Sequence, residues 1–84
     1  MEFKIVYKKS VIRDLKKIDK NNARRILDRL EKDLAENADS YPALKGYFAG
    51  LRKYRVGDYR VIFVVIEEEV TILRIAHRKK SYKK

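Results

Sequence analysis

The chain has 84 residues, 22 Lys and Arg against 12 Asp and Glu, a formal net charge of +10, one histidine and no cysteine. So short a chain holds one domain, here residues 1–84, and buries only about 60 to 65% of its unfolded surface, so any site lies on the surface or in a shallow groove. Without cysteine it has neither disulfides nor thiolate metal sites, and a lone histidine makes no metal site by itself; neither metal nor cofactor is expected.

No apolar run approaches the about 18 to 20 residues that span a bilayer, and the opening MEFKIVYKKS carries charge where a signal peptide is apolar. The expectation is a cytoplasmic protein without membrane contact. Charged residues make up 40% of the chain, well above the usual share of about 25%. They must coat a compact core, and their positive excess points to an anionic partner such as nucleic acid.

Residues Glu2 to Lys8 alternate, with Phe3, Ile5 and Tyr7 on one side, the period of a half-buried strand. From Ser10 the spacing of Val11, Ile12, Leu15 and Ile18 predicts a short amphipathic helix capped by Ser10. A turn at Asp19 to Asn22 follows, with the Asn pair as the next cap. A second helix from about Asn22 to Ala35 aligns Ala23, Ile26, Leu27, Leu30 and Leu34 on one stripe. The short link predicts an antiparallel helix hairpin. Asn37 to Gly46, with the only proline, reads as a loop.

Leu51 to Val56, Tyr59 to Glu67 and Val70 to Arg78 are rich in Val, Ile, Tyr and Phe and are separated by Gly57-Asp58 and by Glu67-Glu68-Glu69. They predict a three-stranded antiparallel meander with tight turns. The fold class is therefore α+β: an N-terminal strand, a helix hairpin, then the meander, with the helices on one face of the sheet and a basic tail at about 79–84.

Charge is uneven. Residues 1–44 carry eleven basic and eight acidic side chains, whereas residues 45–84 carry eleven basic and four acidic. In the second half the cations lie inside strands: Arg52, Lys53 and Arg55, then Arg60, then Arg74 and Arg78. Alternation sets Lys53 and Arg55 on one side and Arg52 with Tyr54 and Val56 on the other, and it groups Arg74 and Arg78 with Ile72 and Ala76. If the helices cover one face, several cations converge on the other, with Tyr54, Tyr59 or Tyr82 close enough to stack. Each close pair of like charges costs several tenths to about 1 kcal/mol. Phosphate relieves that cost, because guanidinium forks bind its oxygens bidentately. The competing reading is edge protection, or cross-strand pairing with acids; residues 51–66 contain a single acid, Asp58. The tail lysines Lys79, Lys80, Lys83 and Lys84 add non-specific attraction to a polyanion, and Lys45, Arg52, Arg74, His77, Lys79 and Lys80 are the candidate nucleic-acid contacts. His77, beside Arg78, is a candidate RNA contact or a structural side chain.

Leu44-Lys45-Gly46, the run from Leu51 to Phe63 containing Gly57-Asp58-Tyr59-Arg60, and the terminal Ile75-Ala76-His77-Arg78-Lys79-Lys80-Ser81-Tyr82 resemble the RelE/ParE superfamily of type II toxin–antitoxin systems, specifically its RelE branch. The resemblance spans essentially the whole chain. It implies a toxin that is a metal-independent, ribosome-dependent endoribonuclease, cutting messenger RNA in the decoding site and leaving a 2′,3′-cyclic phosphate. By motif, Lys53 and Arg60 match phosphate-stabilising cations, Arg78 the residue assisting the leaving group, and Tyr82 the terminal aromatic that orients the substrate. Arg55 stands where a lysine general base is expected. Arginine stays protonated, so Arg55 stabilises charge but accepts no proton. The base is then Lys53 among its cationic neighbours, His77, or no dedicated side chain.

The resemblance further implies a RelB-like antitoxin partner in a hetero-complex, the ribosome and messenger RNA as targets, and DNA contact only through the antitoxin. Two alternatives stand beside the ribonuclease: a ParE-like inhibitor of DNA gyrase, which cleaves no RNA, and a non-catalytic nucleic-acid-binding module, for which the net charge would suffice.

Overall fold

The computed structural model describes residues 2–44 and 50–77. Strand β1 (Lys4–Tyr7) leads into helix α1 (Lys9–Lys16) and helix α2 (Lys20–Asn37); a 3₁₀ turn follows, then β2 (Leu51–Val56), β3 (Tyr59–Ile66) and β4 (Glu69–His77). The sheet order is β1-β4-β3-β2, with β1 parallel to β4 and the other neighbours antiparallel. The α+β architecture expected from the sequence is present, and its meander closes through two-residue turns. Gly57 supplies the positive φ of the first turn; in the second, Glu67 takes φ 56° without being glycine.

Val11, Ile26, Leu30, Leu34, Tyr54, Val56, Val61, Phe63, Val70, Ile72 and Ile75 form the core. Phe3, Ile5 and Tyr7 pack against it, as their alternation predicts, and so do Leu15, Ile18 and Leu27. Ile12 departs from its expected place: it is 51% exposed. Turning Val11 inward carries its neighbour about 100° around the helix, and the buried face instead takes in Asp14.

The caps differ from expectation. Helix α1 begins at Lys9 with no side-chain cap, and the Ser10 hydroxyl instead donates to the Leu73 carbonyl at 2.7 Å. Helix α2 begins two residues earlier than predicted, and Asp19, not the Asn pair, caps it by accepting from the Asn22 backbone N–H at 3.2 Å. A carboxylate suits the positive end of a helix. The backbone N–H and the side-chain amide of Asn22, both donating to it, hold the Asp19 carboxyl below its ordinary value.

Helix α1 completes the sheet edge. Strand β1 stops opposite Ile72, leaving the next outward groups of β4 without a strand partner. Ser10 takes the Leu73 carbonyl, while Asp14 accepts from the Ile75 backbone N–H and from the Arg74 Nε, both at 2.9 Å. Leu73 is the extra residue of a β-bulge: Ile62 pairs with Arg74 but Phe63 with Ile72. The bulge resets alternation, so Ile72 and Ile75 are both buried. Arg74 therefore shares a face with Ala76 but not with Ile72, against the sequence expectation, which assumed an unbroken period.

Helix α2 is tied to both flanks of the sheet. Tyr7 on β1 donates its hydroxyl to Glu31 at 2.5 Å, and Tyr54 on β2 donates to Asp33. Burial first, then the bonded carboxylate, pushes both phenols well above their ordinary value of 10.0.

Three outcomes follow. Asp14→Ala leaves the Ile75 amide unpaired and lowers stability by roughly 1 to 3 kcal/mol, whereas Arg74→Ala, removing a largely exposed side chain, costs under about 1 kcal/mol; thermal melts of the two variants check the order. Glu67→Gly relieves a left-handed backbone and raises stability by up to about 1 kcal/mol, or roughly 4 to 8 °C in Tm. Because both phenols titrate higher folded than unfolded, their stabilisation is intact below pH 10 and is lost as the pH rises past it. Denaturant melts between pH 8 and 12 should show that alkaline loss, diminished in Tyr7→Phe plus Tyr54→Phe.

Candidate functional site

One face of β2 and β3 is sealed. Tyr54 and Val56 on β2 and Val61 and Phe63 on β3 point into the core. Alternation then turns Lys53, Arg55 and Arg60 to the face that α2 does not cover. Arg55 stands directly across from Arg60 in the register, and Lys53 lies two residues along the same strand, opposite Ile62. Directly opposed side chains on one sheet face have Cβ atoms about 4.5 to 5.5 Å apart. Three cations from two strands thus meet at one end of the open face. Among the described residues, neither Lys53 nor Arg55 has a carboxylate within ion-pair distance.

These cations border an open cleft of about 280 Å³ lined by Tyr41, Pro42, Lys53, Tyr54, Arg55 and Arg60. The cleft exists because the chain before β2 pairs with it for a short stretch: Leu44 N–H donates to the Leu51 carbonyl at 2.7 Å and Lys53 N–H to the Pro42 carbonyl at 3.3 Å. Tyr41 is steadied by edge-on ring contacts with Tyr54 at 5.1 Å and Phe63 at 6.4 Å. Chemically, the cleft offers convergent positive charge beside an aromatic and a proline ring, suited to a phosphate with an apolar group attached.

The other predicted residues separate into three groups. Arg52 turns to the helix side and donates to the Tyr41 carbonyl at 2.6 Å, so it supports the cleft wall. Arg74 shares the open face, opposite Ile62, but is paired with Asp14. His77 lies across from Tyr59, in the row of Val56, and meets the Tyr59 ring edge-on at 5.1 Å. Alternation puts that row on the helix side, away from Lys53, Arg55 and Arg60. Tyr54 and Tyr59, expected as stacking partners of the cations, likewise belong to the helix side, where Tyr54 is 5% exposed. Lys45, Arg78, Lys79, Lys80 and Tyr82 lie outside the described residues.

Tyr41 and Pro42 were missed by sequence reasoning, which assigned 37–46 to a connecting loop. Their pairing with β2 depends on residues ten to twelve positions later, and no periodic pattern announces it; the Tyr-Pro dipeptide just ahead of Leu44-Lys45-Gly46 was the available signal.

Residues 5–82 match the family model described as the ParE toxin of the type II toxin–antitoxin system parDE. No curated protein sequence resembles the chain closely enough to count as a relative. Among solved structures, the RelBE2 toxin–antitoxin complex of Mycobacterium tuberculosis is similar at 25% identity, with 93% of each chain covered and a TM-score of 0.87. The archaeal RelE–RelB complex of Pyrococcus horikoshii is 30% identical, covering 93% of this chain and 97% of that one, with a TM-score of 0.66. The chromosomal ParDE system of Pseudomonas aeruginosa shares the fold at 19% identity, with 90% and 96% covered and a TM-score of 0.70. Matched over nearly its full length by the family model, and by solved toxins of both kinds in fold, the chain belongs to the RelE/ParE superfamily of type II toxin–antitoxin toxins.

Proposed function

We propose that this toxin is a metal-independent endoribonuclease that cleaves messenger RNA in the ribosomal A site, held in check by a RelB-like antitoxin. One observation carries the reading: Lys53, Arg55 and Arg60 converge on the uncovered face, in a stretch, residues 51–66, that holds a single acid, Asp58. Gathering like charges opposes folding, and a bound phosphodiester offsets it.

In the reaction, the ribose 2′-oxygen forms a bond to the adjacent phosphorus, the bond from phosphorus to the 5′-oxygen breaks, and the products are a 2′,3′-cyclic phosphate and a 5′-hydroxyl. Negative charge grows on the phosphoryl oxygens in between, where the guanidinium groups of Arg55 and Arg60 stabilise it. The 2′-hydroxyl proton must leave and the 5′-oxygen must gain one. With Arg55 unable to accept a proton and His77 across the sheet, Lys53 is the described side chain suited to the first task. The second is assigned to Arg78 by motif, with Tyr82 orienting the substrate; Lys45, Lys79 and Lys80 add attraction to the polyanion. Alignment on the ribosome supplies several kcal/mol of the barrier reduction.

A second reading, inhibition of DNA gyrase, is favoured by the ParE description of the family model. Purified toxin added to programmed ribosomes separates the two. Primer extension should show cuts within the A-site codon; translation that stops on an intact transcript overturns the ribonuclease reading, and trapped DNA breaks in the cell would assign the toxin to gyrase. Arg60→Ala and Lys53→Ala should each lower cleavage at least about 100-fold, the scale of losing one charge-stabilising or proton-transferring group. Growth inhibition is lost with it, while melting temperature and antitoxin binding stay near wild type.

A further inference from the structure

The cleft has a cationic side and a ring-bearing side, and only the first is used by the chemistry above. Tyr41 and Pro42 form the second. Tyr41 is not free to swing: its ring leans on Tyr54 and Phe63, and its carbonyl is gripped by Arg52. Tyr54 is itself tied to Asp33 of α2. A ring fixed in advance loses little entropy when a ligand settles on it. The opening of about 280 Å³ is at the small end of pockets that hold small molecules, so it takes one nucleotide-sized group and no longer run.

The backbone agrees with that size. Leu51 and Lys53 direct their polar groups to the outer edge of β2, where they meet Leu44 and Pro42. Arg55, two residues on, faces the same way, past the last of these pairings. Its N–H thus joins its guanidinium at the rim of the cleft as a donor for a phosphate oxygen.

We propose that Tyr41, backed by Pro42, is the platform on which one nucleobase of single-stranded RNA stacks while its phosphate lies across Lys53, Arg55 and Arg60. This rests on the ribonuclease reading of the same cleft and adds to it a residue that positions the substrate. Stacking on an aromatic is sequence-tolerant, because every base has a π-face. The contact therefore sets where the strand lies and leaves codon choice to other contacts.

The test uses the full chain and two uncleavable probes, a 2′-O-methyl trinucleotide and the same backbone without bases. Binding is followed by amide shifts and by titration. Tyr41→Leu keeps apolar packing against Tyr54 and Phe63 but removes the π-face, and Tyr41→Phe restores it; thermal melts confirm that both variants are folded. The expected result is that Tyr41→Leu weakens binding of the base-bearing probe about 5- to 20-fold, leaves the abasic probe unchanged, and that Tyr41→Phe binds both like wild type. The Arg55 amide should shift with either probe. Equal losses on both probes, or no loss on either, overturn the stacking role while leaving the cationic site standing. If neither probe binds the wild-type chain or moves the amides of Lys53, Arg55 and Arg60, the site reading and the stacking role fall together.

Discussion

Sealing one face of a four-stranded sheet is the constraint from which the rest of this molecule follows. Once α2 lies over Tyr54, Val56, Val61 and Phe63, the period of two leaves Lys53, Arg55 and Arg60 nowhere to go but the opposite side. The hydrophobic core and the cationic cluster are two consequences of one register. A slip of a single residue between β2 and β3 would bury the cations and expose the core together. Stability and the candidate site are therefore coupled through the register that pairs Arg55 with Arg60, although neither side chain belongs to the core.

Edges are managed by side chains where strands run out. On one flank α1 substitutes for a missing strand, Ser10 and Asp14 meeting the backbone groups that the bulge at Leu73 and the end of β1 leave open. On the other flank, the short stretch ending at Pro42 covers the first half of β2 and stops, and the cleft begins where it stops. The proline has no N–H with which to extend a ladder. A local chemical limit of one residue thus sets the place of the candidate site.

The resemblance drawn from motifs matches the superfamily to which the chain belongs. Within that frame, Arg55 stands where the resemblance implies a lysine and, staying protonated, offers positive charge but no proton acceptor, and three-dimensional placement separates the other strand cations. Arg74 is engaged by Asp14, Arg52 props the wall, and His77 shares its row with Tyr59. The cations of β2, β3 and β4 are consequently several different things: a candidate site, a support and an edge clasp.

Alternation and helical spacing alone determined the main elements, the fold class and most of the core, because burial of Val, Ile, Leu and Phe at fixed periods is a local property written in neighbouring residues. They determined also that Lys53 and Arg55 share a side. Only the tertiary structure decided that Ile12 faces outward, that Ser10 and Asp14 serve β4 more than their own helix, and that the bulge separates Arg74 from Ile72. It alone brought Tyr41 and Pro42 beside the cations. Each of these rests on a contact between segments distant along the chain, or on one extra residue that resets a period, and no local pattern encodes either.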